Sequence, residues 1–124
     1  MTLYSTPLYF DLNKTYYLAG PMTGYHDFNY PAFERAQLNL LAAGISVRSP
    51  HNLEAPDLPE EGEQLWQTMM RKALNMLIGC QGIILMPGWI DSKGALQELN
   101  TAASFKMPAY FLDRTTLIPM NDLK

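Results

Sequence analysis

Residues 88–98, GWIDSKGALQE, concentrate the side chains best suited to chemistry. The segment follows a run of large apolar residues and leads into a helical pattern, which sets Ser92 near a helix N-cap and Glu98 in the early turns. Gly94 lets the backbone approach a ligand closely. Helical side chains lean toward the helix N-terminus, so the Glu98 carboxylate is expected to point back into the crevice at the strand end. The positive end of the helix would favour its ionised form, which a nucleophile needs. A carboxylate under a sugar can attack the anomeric carbon and form a covalent glycosyl ester, while the leaving group departs from the opposite face. The plainer reading makes Ser92 an ordinary cap and Glu98 an exposed helix residue.

A second loop, AGPMTG at residues 19–24, follows a strand and has two glycines whose backbone amides could meet a phosphate or sugar, with Thr23 adding a hydroxyl. It matches neither GxGxxG nor GxxxxGK[ST], so it supports neither a nicotinamide cofactor nor nucleotide triphosphate hydrolysis. As a plain Gly-Pro turn it would leave Thr23 solvated. Tyr25, Phe28 and Trp89 lie on the same loops, where their faces can stack on a nucleobase or pack over the sheet edge. His26 and His51 can contact a base or phosphate, or simply face water. Cys80 reads as a small buried hydrophobe, and Met69, Met70 and Met76 as core filling.

These loops need a frame. The chain has 124 residues, enough for one domain with a genuine core and no second one, so residues 1–124 are expected to fold as a unit. A hydrophobic share of 48% with 17% charged residues excludes a disordered chain. The net charge of -3 and the lack of a basic stripe argue against duplex nucleic acid as a partner. One cysteine and no zinc-type Cys/His spacing support neither disulfides nor a structural metal, and the expected compartment is the cytoplasm. No apolar run approaches a membrane span, and the N-terminus lacks a signal-peptide pattern.

The frame itself is legible as alternation. After an arm over residues 1–13, with a weak strand signal at Leu8, Tyr9 and Phe10, residues 15–19 read as a buried strand. Phe33, Ala36, Leu40 and Ala43 recur at helical spacing behind Pro31 and stop at Gly44, and a second strand follows over residues 45–49. A proline-broken loop leads to a helix with Leu65, Met69, Ala73, Leu74 and Leu77 on one face. Residues 83–86 form a strand covered on both faces. A helix over residues 94–105 turns Ala95, Leu99, Ala102 and Ala103 inward, a strand spans 109–112, and residues 113–124 are left as a tail that could reach a neighbouring subunit. Strands alternating with helices give a three-layer α/β domain with a central parallel sheet of four to five strands. Ligands bind such sheets beyond the strands' carboxyl ends, where loops 20–30, 49–63 and 87–93 would meet.

The segments YLAGPMTG (17–24), FNYPAF (28–33) and GWIDSKGALQE (88–98), in this order, resemble the DUF4406 family, small proteins common in phages and prophages. That family is related to the nucleoside 2-deoxyribosyltransferases and is similar to deoxynucleotide N-hydrolases. The resemblance covers about residues 15–112 and implies a flavodoxin-like fold, a homodimer or higher homo-oligomer, and a nucleoside or nucleotide site; no metal or cofactor is expected. It gives Glu98 the role of nucleophile and Gly20, Met22, Thr23 and Gly24 a role in binding base or phosphate. Two departures stand out. The transferases carry an aspartate where this chain has Ser92, with Asp91 one place earlier, and a helix aspartate where this chain has Ala73. A serine removes a negative charge and leaves a donor, which suits a phosphate and tilts the expectation toward a nucleotide. Asp91 is the candidate replacement acid. Two readings follow: an enzyme that hydrolyses or transfers an N-glycosidic bond, with Glu98 and Asp91 catalytic and Phe28, Trp89, Ser92 and Gly94 among the binding residues, or a module that holds a nucleotide intact.

Overall fold

The structure is a computed structural model that describes residues 6–7, 10–54 and 61–120. Five strands form one sheet in the order β2-β1-β3-β4-β5: β1 Thr15–Ala19, β2 Ser46–Arg48, β3 Gly82–Leu85, β4 Ala109–Asp113 and β5 Thr116–Pro119. The first four are parallel, as the alternation predicts, and β5 pairs antiparallel with β4 at the edge. Three helices join the strands: α1 Tyr30–Ala42, α2 Gly62–Ile78 and α3 Lys93–Ser104. With helices on both faces this is the flavodoxin-like three-layer fold.

The twofold alternation of β1 divides the core. Tyr16 and Leu18 point to the face covered by α1, where they join Phe33, Leu40, Ile45, Val47 and Ile84. Tyr17 and Ala19 point to the opposite face with Ala73 and Leu77 of α2, Ala95 and Ala102 of α3, and Ile83 and Leu85 of β3. Ile83 and Leu85 are fully buried, and each such large apolar side chain stabilises the fold by roughly 1.5–3 kcal/mol. Gly82 sits in the middle of this sheet because the Tyr16 ring crosses it: a Cβ there would lie 2.6 Å from that ring.

Three details differ from the pattern read in the chain. Residues 113–119 are not a free tail, because Asp113 closes β4, a two-residue turn follows, and Leu117 and Ile118 add the edge strand. Ala103 is exposed, since the inward stripe of α3 runs through Ala95, Glu98 and Ala102 instead. Of the weak strand signal near the N-terminus, Leu8 and Tyr9 lie outside the described residues, and Phe10 stacks on Tyr16 with ring centres 4.8 Å apart. No helix among the described residues is long and apolar enough to cross a membrane.

The order 2-1-3-4 reverses between β1 and β3, whose ends pair at Ala19 and Leu85. The crevice of the switch point opens beyond these two residues.

Candidate functional site

A cavity of about 870 Å³ lies at that crevice. Its floor is Glu98. The helix that carries it is started by Ser92, whose hydroxyl accepts a hydrogen bond from the Ala95 N–H at 3.1 Å. One and a half turns later Glu98 faces the sheet, is only 5% exposed, and accepts a hydrogen bond from the Tyr17 hydroxyl. Tyr17 reaches it because every second residue of β1 faces α3. Burial pushes the Glu98 carboxyl up to about 8, with the Tyr17 hydrogen bond pulling it the other way. Burial and the adjoining carboxylate push the Tyr17 phenol well above its usual range, so the phenol remains the donor. The expected ionisation of Glu98 by the helix terminus is therefore corrected: a helix end acts within its first turn, and Glu98 lies beyond it in an apolar layer.

The walls come from three loops and two helices. Gly20, Pro21, Met22, Thr23, Tyr25, Phe28 and Tyr30 line one side, and Trp66, Met69, Met70 and Ala73 of α2 the other. Asp91, Ser92, Lys93 and Gly94 form the edge at the start of α3, facing Glu63. Lys93 Nζ sits 4.3 Å from the centre of the Trp66 ring and 3.8 Å from Glu63 Oε1. The first loop is held in an unusual shape. Asp27, Phe28 and Asn29 all adopt left-handed backbone angles, with φ of 51°, 51° and 62°. This conformation costs L-residues about 1–2 kcal/mol each. The Asn29 side-chain amide donates to the Pro21 carbonyl at 2.9 Å, and the Phe28 N–H to that of Tyr25 at 3.0 Å. The result thrusts Phe28 out over the cavity mouth at 60% exposure.

Eight of the ten candidate residues thus share one cavity: Glu98, Asp91, Gly20, Met22, Thr23, Phe28, Ser92 and Gly94. Gly24 and Trp89 are not among the lining residues. Gly24 makes a turn at φ +86° with no atom near its Cα face, and Trp89 packs against the core between the sheet and the α2/α3 layer. Gly20 has a packing reason to be glycine, since a Cβ would lie 2.9 Å from Met86 Cβ. The serine serves as the cap that its position suggests, whereas Glu98 is not the exposed helix residue of the plainer reading. His26 is exposed beside Asp27, at 3.4 Å. His51 is tied to the buried Ser49 hydroxyl at 2.5 Å and packs near Tyr30 and Phe33, outside the lining.

Of the three methionines read as core filling, Met70 is buried and also lines the cavity, Met76 packs against the core, and Met69 is a half-buried part of the cavity wall. Tyr17, Trp66 and Lys93 are additional members that sequence reasoning passed over. Trp66 and Met70 sit four apart on α2, a spacing that puts both on one face. Tyr17 carries no local signal, because only the tertiary fold brings it to Glu98. Among the described residues no group of His, Cys, Asp and Glu is placed to hold a metal ion.

A model of the family described as Domain of unknown function (DUF4406) matches residues 14–111. The chain belongs to this family. No curated protein matches it. The matched span of the DUF4406 domain runs from the residue before β1 into β4, so it contains Tyr17, the whole first loop, α2 and Glu98.

Proposed function

We propose that this DUF4406 protein cleaves the N-glycosidic bond of a nucleoside or nucleotide, by hydrolysis or by transfer of the sugar, with Glu98 as nucleophile. The observation that carries this reading is a single buried carboxylate, gripped by a tyrosine hydroxyl, at the floor of a cavity with aromatic walls. Structural carboxylates rarely sit in an apolar layer, and a strongly raised carboxyl in a cleft is a mark of a functional group. The likeness of its motifs to those of deoxyribosyltransferases and deoxynucleotide N-hydrolases points the same way. Tyr17 orients the carboxylate, and Phe28, Tyr25 and Trp66 offer faces for a base. Thr23 and Ser92 offer hydroxyls for the sugar or a phosphate, and Asp91 can meet either from the rim.

The second reading, a module that binds a nucleotide without turning it over, is favoured by one observation. The buried α2 wall next to the crevice carries Ala73 and no acid that could protonate a departing base.

The test is incubation with nucleosides, ribo- and deoxynucleoside monophosphates and dinucleotides, with mass spectrometry of the solution and of the denatured protein. Free base formed by the wild type and lost in Glu98→Gln supports the enzyme. A compound retained intact, with no base released, supports the module.

A further inference from the structure

The enzyme reading leaves a chemical problem at the far side of the sugar. When a neutral nucleobase leaves, the C1′–N bond electrons make an anion that a general acid must protonate, help that contributes about 10²–10⁴-fold. Glu98 cannot provide it, because the attacking carboxylate and the departing base lie on opposite faces of the sugar. No histidine is among the described lining residues, and the only other carboxyl groups there, Glu63 and Asp91, belong to exposed residues of the rim. The buried lining beside Glu98 is Met70, Ala73 and Ala95, none of which can donate a proton.

The lining of the same cavity suits a flat cation. It includes Tyr25, Phe28, Tyr30 and Trp66, and it carries the exposed carboxyl groups of Glu63 and Asp91 and the buried one of Glu98 against one ammonium. Trp66 already holds a cation over its ring, the Lys93 ammonium at 4.3 Å, and that ammonium is the only cationic side chain among the described lining residues. A planar cationic ring could displace it toward Glu63, 3.8 Å away.

We infer, resting on the N-glycoside reading above, that the substrate carries a positively charged heteroaromatic base, such as a pyridinium or N7-alkylpurinium ring, which departs as a neutral molecule and requires no acid. The chemistry balances without a co-reactant other than water. A Glu98 oxygen bonds to C1′ as the C1′–N bond breaks, and the bonding pair stays on the ring nitrogen and cancels its positive charge. The products are a neutral glycosyl ester and a neutral base. Water then bonds to C1′, the Glu98 carboxylate leaves, and the proton lost by the water passes to solvent. A cation over the site also favours the ionised form of Glu98, whose only close polar partner among the described groups is Tyr17.

Two matched pairs of probes test this: nicotinamide riboside against its dihydro form, and N7-methylguanosine against guanosine. Base release by the wild type is expected at least about 10²-fold faster in kcat/KM for the charged member of one or both pairs, and to vanish in Glu98→Gln. Calorimetry on Glu98→Gln, which binds without turnover, gives an independent readout. The charged member is expected to bind about 2- to 30-fold tighter than its neutral partner, Trp66→Leu to erase that preference, and Lys93→Gln to increase it by uncovering the ring. Neutral members released or bound as well as the charged ones overturn the inference while leaving the N-glycoside reading standing. No base released from any probe or nucleotide, with wild type and Glu98→Gln alike, overturns that reading and the inference with it.

Discussion

The hydroxyl of Tyr17 on β1 donates to the Glu98 carboxyl on the third helix, inside an apolar layer that holds no other buried Asp, Glu, Lys or Arg among the described residues. Each group needs the other. A phenol stripped of water without a partner costs about 1–3 kcal/mol, and a carboxylate there more. The pair is tolerable only because strand alternation and helix phase bring the two atoms together.

The protonation of Glu98 makes stability depend on pH. Its carboxyl binds a proton more tightly in the fold, at about 8, than at the ordinary 4.5 of an unfolded chain. The native state therefore holds more protons between these values, and stability falls as pH rises from about 4.5 to about 8, then levels off. The loss is on the order of several kcal/mol, at about 1.4 per unit. Glu98→Gln has no such term. Urea denaturation across pH 5 to 9 should show the variant gaining on the wild type as pH rises, and a constant gap would mean that Glu98 is not held protonated.

Removing the Tyr17 hydroxyl moves the same equilibrium. The hydrogen bond lowers the Glu98 carboxyl, so Tyr17→Phe raises it further. An activity that needs the ionised carboxylate then appears only at higher pH, with its ascending limb displaced upward from about 8. A pH-rate profile with an unmoved limb would separate Tyr17 from the ionisation of Glu98.

Gly20 and Ser92 make predictions about scaffold and not chemistry. In Gly20→Ala the new Cβ meets Met86 Cβ at 2.9 Å and the Phe33 ring at 3.3 Å, and overpacking of this kind costs about 1–3 kcal/mol. A lowered melting temperature checks it.

Ser92→Ala removes the acceptor for the Ala95 N–H and should cost about 1 kcal/mol, whereas Ser92→Asp should keep the cap. If the hydroxyl also meets a phosphate, Ser92→Asp keeps the melting temperature but weakens binding of a nucleoside monophosphate. Loss of cap stability in both variants would argue against a capping role.

Much of this was legible in the chain. The apolar runs ending at Gly20 and Pro87 gave the two central strands, and the helix that follows Ser92 placed Glu98 at the switch point. What was hidden depends on distance along the chain or on unusual backbone. Edge strand β5 is four residues long and enters through Arg114 at φ 57°, a left-handed turn without the glycine or asparagine that advertises one. Phe28 sits over the cavity through a run of three left-handed residues that no local propensity favours. Burial of Glu98 was hidden because a lone glutamate in an apolar stripe looks the same as one on the solvent face until the sheet is in place.

Strand β1 lies between β2 and β3 with both of its faces covered, while the loop that carries Phe28 has no buried residue in its turn over residues 26–29. Amide hydrogens of Tyr16 through Ala19 should then exchange with deuterium only when the whole domain unfolds, and those of residues 24–28 through local opening. The Tyr17–Glu98 pair is anchored through Tyr17 in the last part of the molecule to come apart. The loop above it lacks such anchoring, so its local opening leaves the Tyr17–Glu98 contact in place.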